Sequence, residues 1–341
     1  MNNKITEKLN NLCFDLGQDP FLVQGAGGNV SIKDDNLLWV KASGTALSHA
    51  LNKNIFVPVD LESIKREIKN GNYSFSPSVT NNSSLRPSIE TLLHGIMKHK
   101  VVIHLHMISA LRFLIKSDAH KNLLKILGDD LSWGYVKYCK PGENLARAVT
   151  ELLKQKDGID IIFLENHGVV LGAESVELAR KKLETLDNCL GKSELKNKED
   201  FDDNLIDIES PIINFDWCAN QALHNLTTNE NLFGCIENSW ALFPDHVVFL
   251  GHQPLIVDDT NSLKELNYDE ISNEPFIFVK KVGILQNSIT TQAQIEQLLC
   301  YFNVISNIAD YCNIKTLTDM EISELLNWDA EVYRQALSKI D

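Results

Sequence analysis

The chain lacks any paired-cysteine pattern. Its seven cysteines (Cys13, Cys139, Cys189, Cys218, Cys235, Cys300, Cys312) are scattered, and no two stand in Cys-x-x-Cys spacing. That excludes a disulfide framework and a cysteine metal cage. No apolar run approaches the roughly 18 residues of a membrane span. Met1-Asn-Asn-Lys-Ile-Thr-Glu-Lys8 has no apolar signal-peptide core, so the expectation is a cytoplasmic protein with no membrane partner. Positive charge is scarce as well: 32 Lys and Arg stand against 46 Asp and Glu, a formal net charge of -14. Nucleic acid and membrane surfaces, both negative, are poor partners for such a chain, although a local pocket can still take an anion. Repeats and low-complexity tracts are also missing. The length, 341 residues with 44% apolar content, suits about two domains of roughly 150 residues.

What is present centres on Arg86 to Met107. Pro87 and Ser88 supply helix-entry and N-cap chemistry, which places Glu90 in a first helical turn. Leu92, Leu93 and Ile96 give that helix an apolar face, and His94 shares the face of Glu90 one turn on. Then Val101-Val-Ile-His-Leu-His106 reads as a buried strand. Residues two apart in a strand point the same way, so His104 and His106 share one face while Ile103 and Leu105 take the other. Further on, Ile159 to Gly172 reads as two apolar strands flanking Glu165-Asn166-His167-Gly168, a tight turn that holds His167 at a strand end. Three neutral histidines with an open position are the pattern of a catalytic zinc, since water or substrate must reach the metal. Singly, each histidine is more often a hydrogen-bonded core residue.

Other stretches are less specific. Residues 3 to 16 carry Ile5, Leu9, Leu12, Cys13 and Leu16 at helical spacing, with Gly17 as terminator. Gln24-Gly-Ala-Gly-Gly-Asn-Val-Ser-Ile-Lys33 is a glycine-rich turn entering a strand. Its glycines let backbone N–H groups approach an anion, but it is neither a Walker loop nor a dinucleotide fingerprint, and a plain hairpin or bulge gives the same pattern. Asp60 caps a charged helix ended by Gly71, Ser175 caps another, and His99 falls at a helix end exposed to solvent.

Taken together, Gly27-Gly28-Asn29-Val30-Ser31, Ser43-Gly44-Thr45, Pro87-Ser88-x-Glu90 with His94, His104-x-His106 and Glu165-Asn166-His167-Gly168 resemble the class II aldolase/adducin family, in order and spacing, over roughly residues 5 to 195. The resemblance implies a three-layer α/β/α domain with a mostly antiparallel central sheet. It implies a divalent metal, usually zinc, on His104, His106 and His167, and an aldehyde-lyase that cleaves a sugar or sugar phosphate. Glu90 takes the position of the catalytic acid/base, where the related 4-epimerases tend to carry Asp. Gly28, Asn29, Ser43, Gly44 and Ser88 fall in the phosphate or substrate-end pocket. One departure stands out: Ile89 replaces a second small hydroxyl residue. Either Arg86 compensates as a bidentate phosphate ligand, or the substrate bears no phosphate there. The family usually forms homo-oligomers, commonly tetramers, with neighbours contributing to the site. Two alternatives share the scaffold: a sugar-phosphate epimerase or dehydratase on the same metal, and a non-catalytic adducin-like protein.

The charged run 191 to 209 marks the expected boundary, giving domains of 1–205 and 210–341. Trp240 to Gly251, Pro275 to Gly283 and Trp328 to Arg334 resemble the C-terminal part of longer members, including the aldolase half of bifunctional aldolase–dehydrogenase proteins. A smaller α+β domain is expected there, with strands around Val247 and Phe278 and helices over Thr290–Tyr311 and Ile322–Leu337. Asp245-His246 could form another metal or acid/base pair, but reads more readily as structural or as lining the substrate mouth.

Overall fold

Apolar side chains in the first half alternate along short strands, and the two sets they create need cover on both sides. The computed structural model, which describes residues 3–81, 83–128, 131–196, 210 and 212–338, shows how that cover is supplied. In chain order come α1 (Asn3–Gln18), β1 (Asn29–Asp34), β2 (Leu37–Lys41), β3 (Phe56–Asp60), α2 (Leu61–Lys69), α3 (Thr91–Ile96) and β4 (Val101–Leu105). There follow α4 (Ile108–Leu114), α5 (Ala119–Leu127), β5 (Trp133–Val136), α6 (Glu143–Gln155), β6 (Ile161–Leu164), β7 (Gly168–Ala173) and α7 (Val176–Cys189). The strands form one sheet in the order β3-β2-β1-β4-β7-β6-β5. Every neighbouring pair is antiparallel except β5 and β6.

Val101, Ile103 and Leu105 face one side, where Leu9 and Leu12 of α1, Ala110 of α4 and Leu183 of α7 cover them. Val102 faces the other side with Val170, under Leu93 of α3 and Val149 of α6. A fully buried Leu or Val is worth about 1.5–3 kcal/mol, and a register slip of one residue would swap the two faces, setting His104 in the apolar layer under α1. The result is the expected three-layer α/β/α arrangement.

The second half continues with β8 (Phe215–Trp217), α8 (Asn225–Thr228), α9 (Glu230–Asn238), α10 (Pro244–Leu250), β9 (Leu255–Val257), α11 (Tyr268–Ile271), β10 (Phe276–Val279), β11 (Gly283–Asn287), α12 (Gln292–Ser306), α13 (Asp319–Leu326) and α14 (Asp329–Ser338). A second, four-stranded sheet runs β8-β11-β10-β9, so this region is α+β as expected. Its core is continuous with α4: Ile108, Leu111 and Ile115 pack among Leu232, Phe233, Leu298 and Phe302. The expected domain boundary near 205–210 falls largely outside the described residues.

Several local expectations change. The run around Val247 is helix α10, because Pro244 sits at its first position, every residue from 244 to 250 is buried, and Gly251 at φ 83° ends it. A short apolar run surrounded on all sides carries no period that separates strand from helix. The expected helix over 322–337 is two, broken at Asn327, with Thr318 forming a capping box for the first. Gly17 lies within α1 rather than ending it. His99 is buried, with Nε2 2.7 Å from Asp160 Oδ1. Its ring lies against Gly172, where a Cβ would meet Nδ1 at 2.1 Å.

Candidate metal centre

The sheet register builds the site. Asn29 on β1 lies directly opposite His104 on β4, and Ser31 opposite Val102, so Asn29, Ser31 and His104 share one face. His106 follows β4 immediately. The β6–β7 hairpin returns beside them, and Asn166 in its turn adopts φ 51°, a conformation Asn tolerates better than most residues. The Asn166 amide donates to the carbonyls of Leu242 and Lys315, both at 2.7 Å, which fixes the turn and places His167. Ligand atoms of His104, His106 and His167 lie within 4.8 Å of one another, and all three residues are buried.

Glu90 enters from the start of α3. Ser88 is not its N-cap as the sequence pattern suggested. The Ser88 hydroxyl accepts from the Glu90 N–H at 3.2 Å, Glu90 itself occupies the cap position, and α3 begins at Thr91. Glu90 therefore precedes the first helical turn, and its carboxylate is free to point at the histidines. Oε2 lies 3.4 Å from His104 Nε2 and Oε1 3.5 Å from His167 Nε2. Asn29 Nδ2 donates to Glu90 Oε2 at 2.8 Å and to the Ser88 hydroxyl at 3.2 Å. Behind Asn29, His94 Nε2 donates to Asn29 Oδ1, and His94 Nδ1 meets the Ser31 hydroxyl at 2.7 Å. His94 thus orients the amide that holds Glu90.

The donor set suits a divalent cation. His104 Nδ1 donates to the Val169 carbonyl at 3.1 Å, leaving Nε2 as an inward lone pair. His104 Nε2 and His106 Nε2 stand 3.2 Å apart, a spacing two N–H groups would not adopt. Burial pushes His106 down to about 4 and His167 to about 3, so both rings are neutral at pH 7. Burial raises the Glu90 carboxyl, but the surrounding imidazoles and the Asn29 amide outweigh it and hold the group down to about 2. Neutral imidazoles beside an ionised carboxylate are what a zinc-type cation binds.

From the histidines the pocket runs past Gly28, Asn29, Ser43, Gly44 and Ser88. Ser43 and Ser88 meet because the Ser43 N–H bonds the Arg86 carbonyl and the Ser88 N–H bonds the Lys41 carbonyl. The free cavity there is about 30 Å³. Arg86 does not line it. Its guanidinium stacks on the Tyr333 ring, 4.3 Å from the centroid, so the structure does not bring it to the place where a compensating phosphate ligand would act.

Four charged lining residues were not picked out as site residues by sequence: Lys41, Glu331, Arg334 and Asp245, the last weighed there only as one of a pair with His246. Lys41 is buried, donates to the carbonyls of Ala26 (2.9 Å) and Thr45 (2.5 Å), and is pushed down to about 7 by burial, with the nearby Arg334 charge adding to the effect. Arg334 makes a bidentate pair with Asp245, at 2.9 and 3.1 Å, and also binds Glu331. The pairing with Trp328–Arg334 as a recurring C-terminal stretch was the available signal; the distance in sequence hid the contact. His246, by contrast, points away into an aromatic cage of Trp240, Phe243 and Tyr301.

The sequence model of the class II aldolase and adducin N-terminal domain matches residues 7–191. An uncharacterized oxidoreductase of Bacillus subtilis (strain 168), YuxG, is 26% identical over 183 residues, covering 49% of this chain and 26% of that protein. The chain thus spans about a quarter of that relative's length. Among solved structures, the N-terminal class II aldolase domain of a conserved Thermoplasma acidophilum protein is 24% identical, with a TM-score of 0.47, covering 57% of this chain and 94% of that one. An L-fuculose 1-phosphate aldolase is 20% identical, with a TM-score of 0.40, covering 56% and 84%. With more than half its length matched by the family and the three histidines gathered at one strand end, the chain belongs to the class II aldolase and adducin family.

Proposed function

We propose that this chain is a divalent-metal-dependent class II aldolase, an aldehyde-lyase that reversibly cleaves a ketose or ketose phosphate, with zinc on His104, His106 and His167. One observation carries the reading: the Glu90 carboxylate reaches two of the three histidines at 3.4 and 3.5 Å, ionised and held by Asn29. A scaffold protein has no use for that constellation. When bound there, a divalent cation supplies a Lewis acid for the charge that develops on the substrate's carbonyl oxygen. Glu90 is the general acid and base that takes up and returns the proton at the adjacent carbon. Ser43, Gly44, Ser88 and Gly28 receive the far end of the substrate through hydroxyl and backbone donors. A cytoplasmic homo-oligomer, a tetramer by resemblance, is part of the same reading.

The test is metal content of the purified wild type beside His104→Ala/His106→Ala, with an assay for dihydroxyacetone phosphate or a short aldehyde released from ketoses and their 1-phosphates. About one metal per three-histidine site, lost together with cleavage in the variant, is the expected result. Glu90→Gln should keep its metal while cleavage falls roughly 10²- to 10⁴-fold. A metal-loaded wild type that epimerises or dehydrates sugar phosphates without cutting them would move the assignment to those reactions. No uptake of added zinc would sink the enzyme reading.

A further inference from the structure

We propose that Asp245, which lies outside the matched family segment, is a positioning residue for the ligand His106, and that Arg334 holds it in place. This rests on the metal-centre reading above. The three imidazoles differ in what meets their outer nitrogens. His104 Nδ1 has the Val169 carbonyl, His167 Nδ1 has no partner among the described residues, and His106 Nδ1 faces Asp245 Oδ2 at 3.4 Å. Asp245 is therefore the one carboxylate on an outer ring nitrogen of the cluster.

Its placement is tightly determined. Arg334 grips both oxygens, NH1 on Oδ1 at 2.9 Å and NH2 on Oδ2 at 3.1 Å, and all three residues are buried. The same NH1 also donates to Glu331 Oε2 at 2.9 Å. The backbone is cut back to make room. A Cβ on Gly27 would lie 3.0 Å from Asp245 Oδ2 and 3.2 Å from His106 Nδ1, so only a hydrogen fits over the contact. A carboxylate at that distance favours the proton on Nδ1, keeps the Nε2 lone pair turned inward and makes the ring a better donor. The charged partner of a family-domain ligand thus comes from α10, and its anchor from α14.

A plain ion pair joining α10 to α14 would also place Asp245 beside Arg334, and the experiment separates the two. Zinc affinity of the full chain is measured by competition with a chromogenic chelator for wild type, Asp245→Asn and Asp245→Asn/Arg334→Met, with thermal unfolding of each metal-free form. The double variant removes both charges and guards against loss of folding from an unpaired buried guanidinium. The expected result is zinc binding weakened about 10- to 100-fold in both variants, restored in part by Asp245→Glu. Folded variants that bind zinc as tightly as wild type, with only the melting temperature of the metal-free form lowered, overturn the proposal and leave the ion pair. A wild type that binds no divalent metal overturns the metal centre itself, and this role with it.

Discussion

His246 shows what a single buried side chain can cost. Its ring sits between Trp240 and Tyr301, with centroids at 4.5 and 4.8 Å, and neither nitrogen has a hydrogen-bond partner among the described residues. Burial pushes it down to about 3. Between that value and the ordinary range near 6.5, the unfolded chain binds a proton that the folded chain refuses. Stability contributed by the neutral ring is therefore complete above pH 6.5 and is lost as pH falls toward 3. At pH 5 the loss amounts to about 2 kcal/mol. His246→Phe, which keeps an aromatic ring in an aromatic cage, should remove that share of the acid sensitivity; equal melting-temperature losses in wild type and variant between pH 7 and pH 5 would refute it. Sequence showed His246 only as the neighbour of Asp245, because nothing local tells which of two adjacent side chains turns toward the pocket.

At the scale of elements, the decisive unit is the pair of strand ends that carries the ligands. Gly168 opens β7 against them: an added Cβ would lie 2.4 Å from the Leu105 carbonyl, 3.2 Å from the His106 ring and 3.3 Å from the His104 ring. Gly168→Ala must therefore push β7 away from β4 and spread the imidazoles. Zinc affinity should drop at least tenfold with the fold retained, measured by the same chelator competition beside far-UV circular dichroism. Much of this unit was legible. The period of two in Val101–His106 put both histidines on one face, and the register with β1 then delivered Asn29. The start of α3 was misread, since Ser88 followed by an acid two residues on looks like a cap whatever the backbone does. Glu90 as cap rather than first-turn residue is set by tertiary contacts with Asn29 and the histidines, which local pattern does not contain. The Val247 run failed for a related reason: full burial erases amphipathic period.

Over the whole molecule, the two halves share one core. Ile108, Leu111 and Ile115 of α4 pack with Leu298, Phe302 and Phe233 from beyond residue 230, and Leu337 of α14 reaches Gly44. The chain should unfold as a single cooperative unit, with calorimetric and van't Hoff enthalpies equal. Two resolved calorimetric transitions would show the halves to be independent. Length and the charged run 191–209 led to an expectation of two domains, and nothing local in either carries the shared core. Residues such as Lys41, Asp245 and Arg334, each 89 or more positions from the next, come to one pocket only after both sheets are built. One tie between the halves has a further result. The Asn166 amide bonds the carbonyls of Leu242 and Lys315, so part of what fixes the turn bearing His167 comes from the second half, beside the Asn166 N–H bond to the Leu114 carbonyl from the first. Coupling of this kind is reciprocal: each stabilises the other by the same factor. Metal binding at the proposed site should therefore slow amide hydrogen exchange around residues 242 and 315, and loosening the second half should weaken metal binding by the same factor; exchange there that is identical with and without added zinc would refute the coupling.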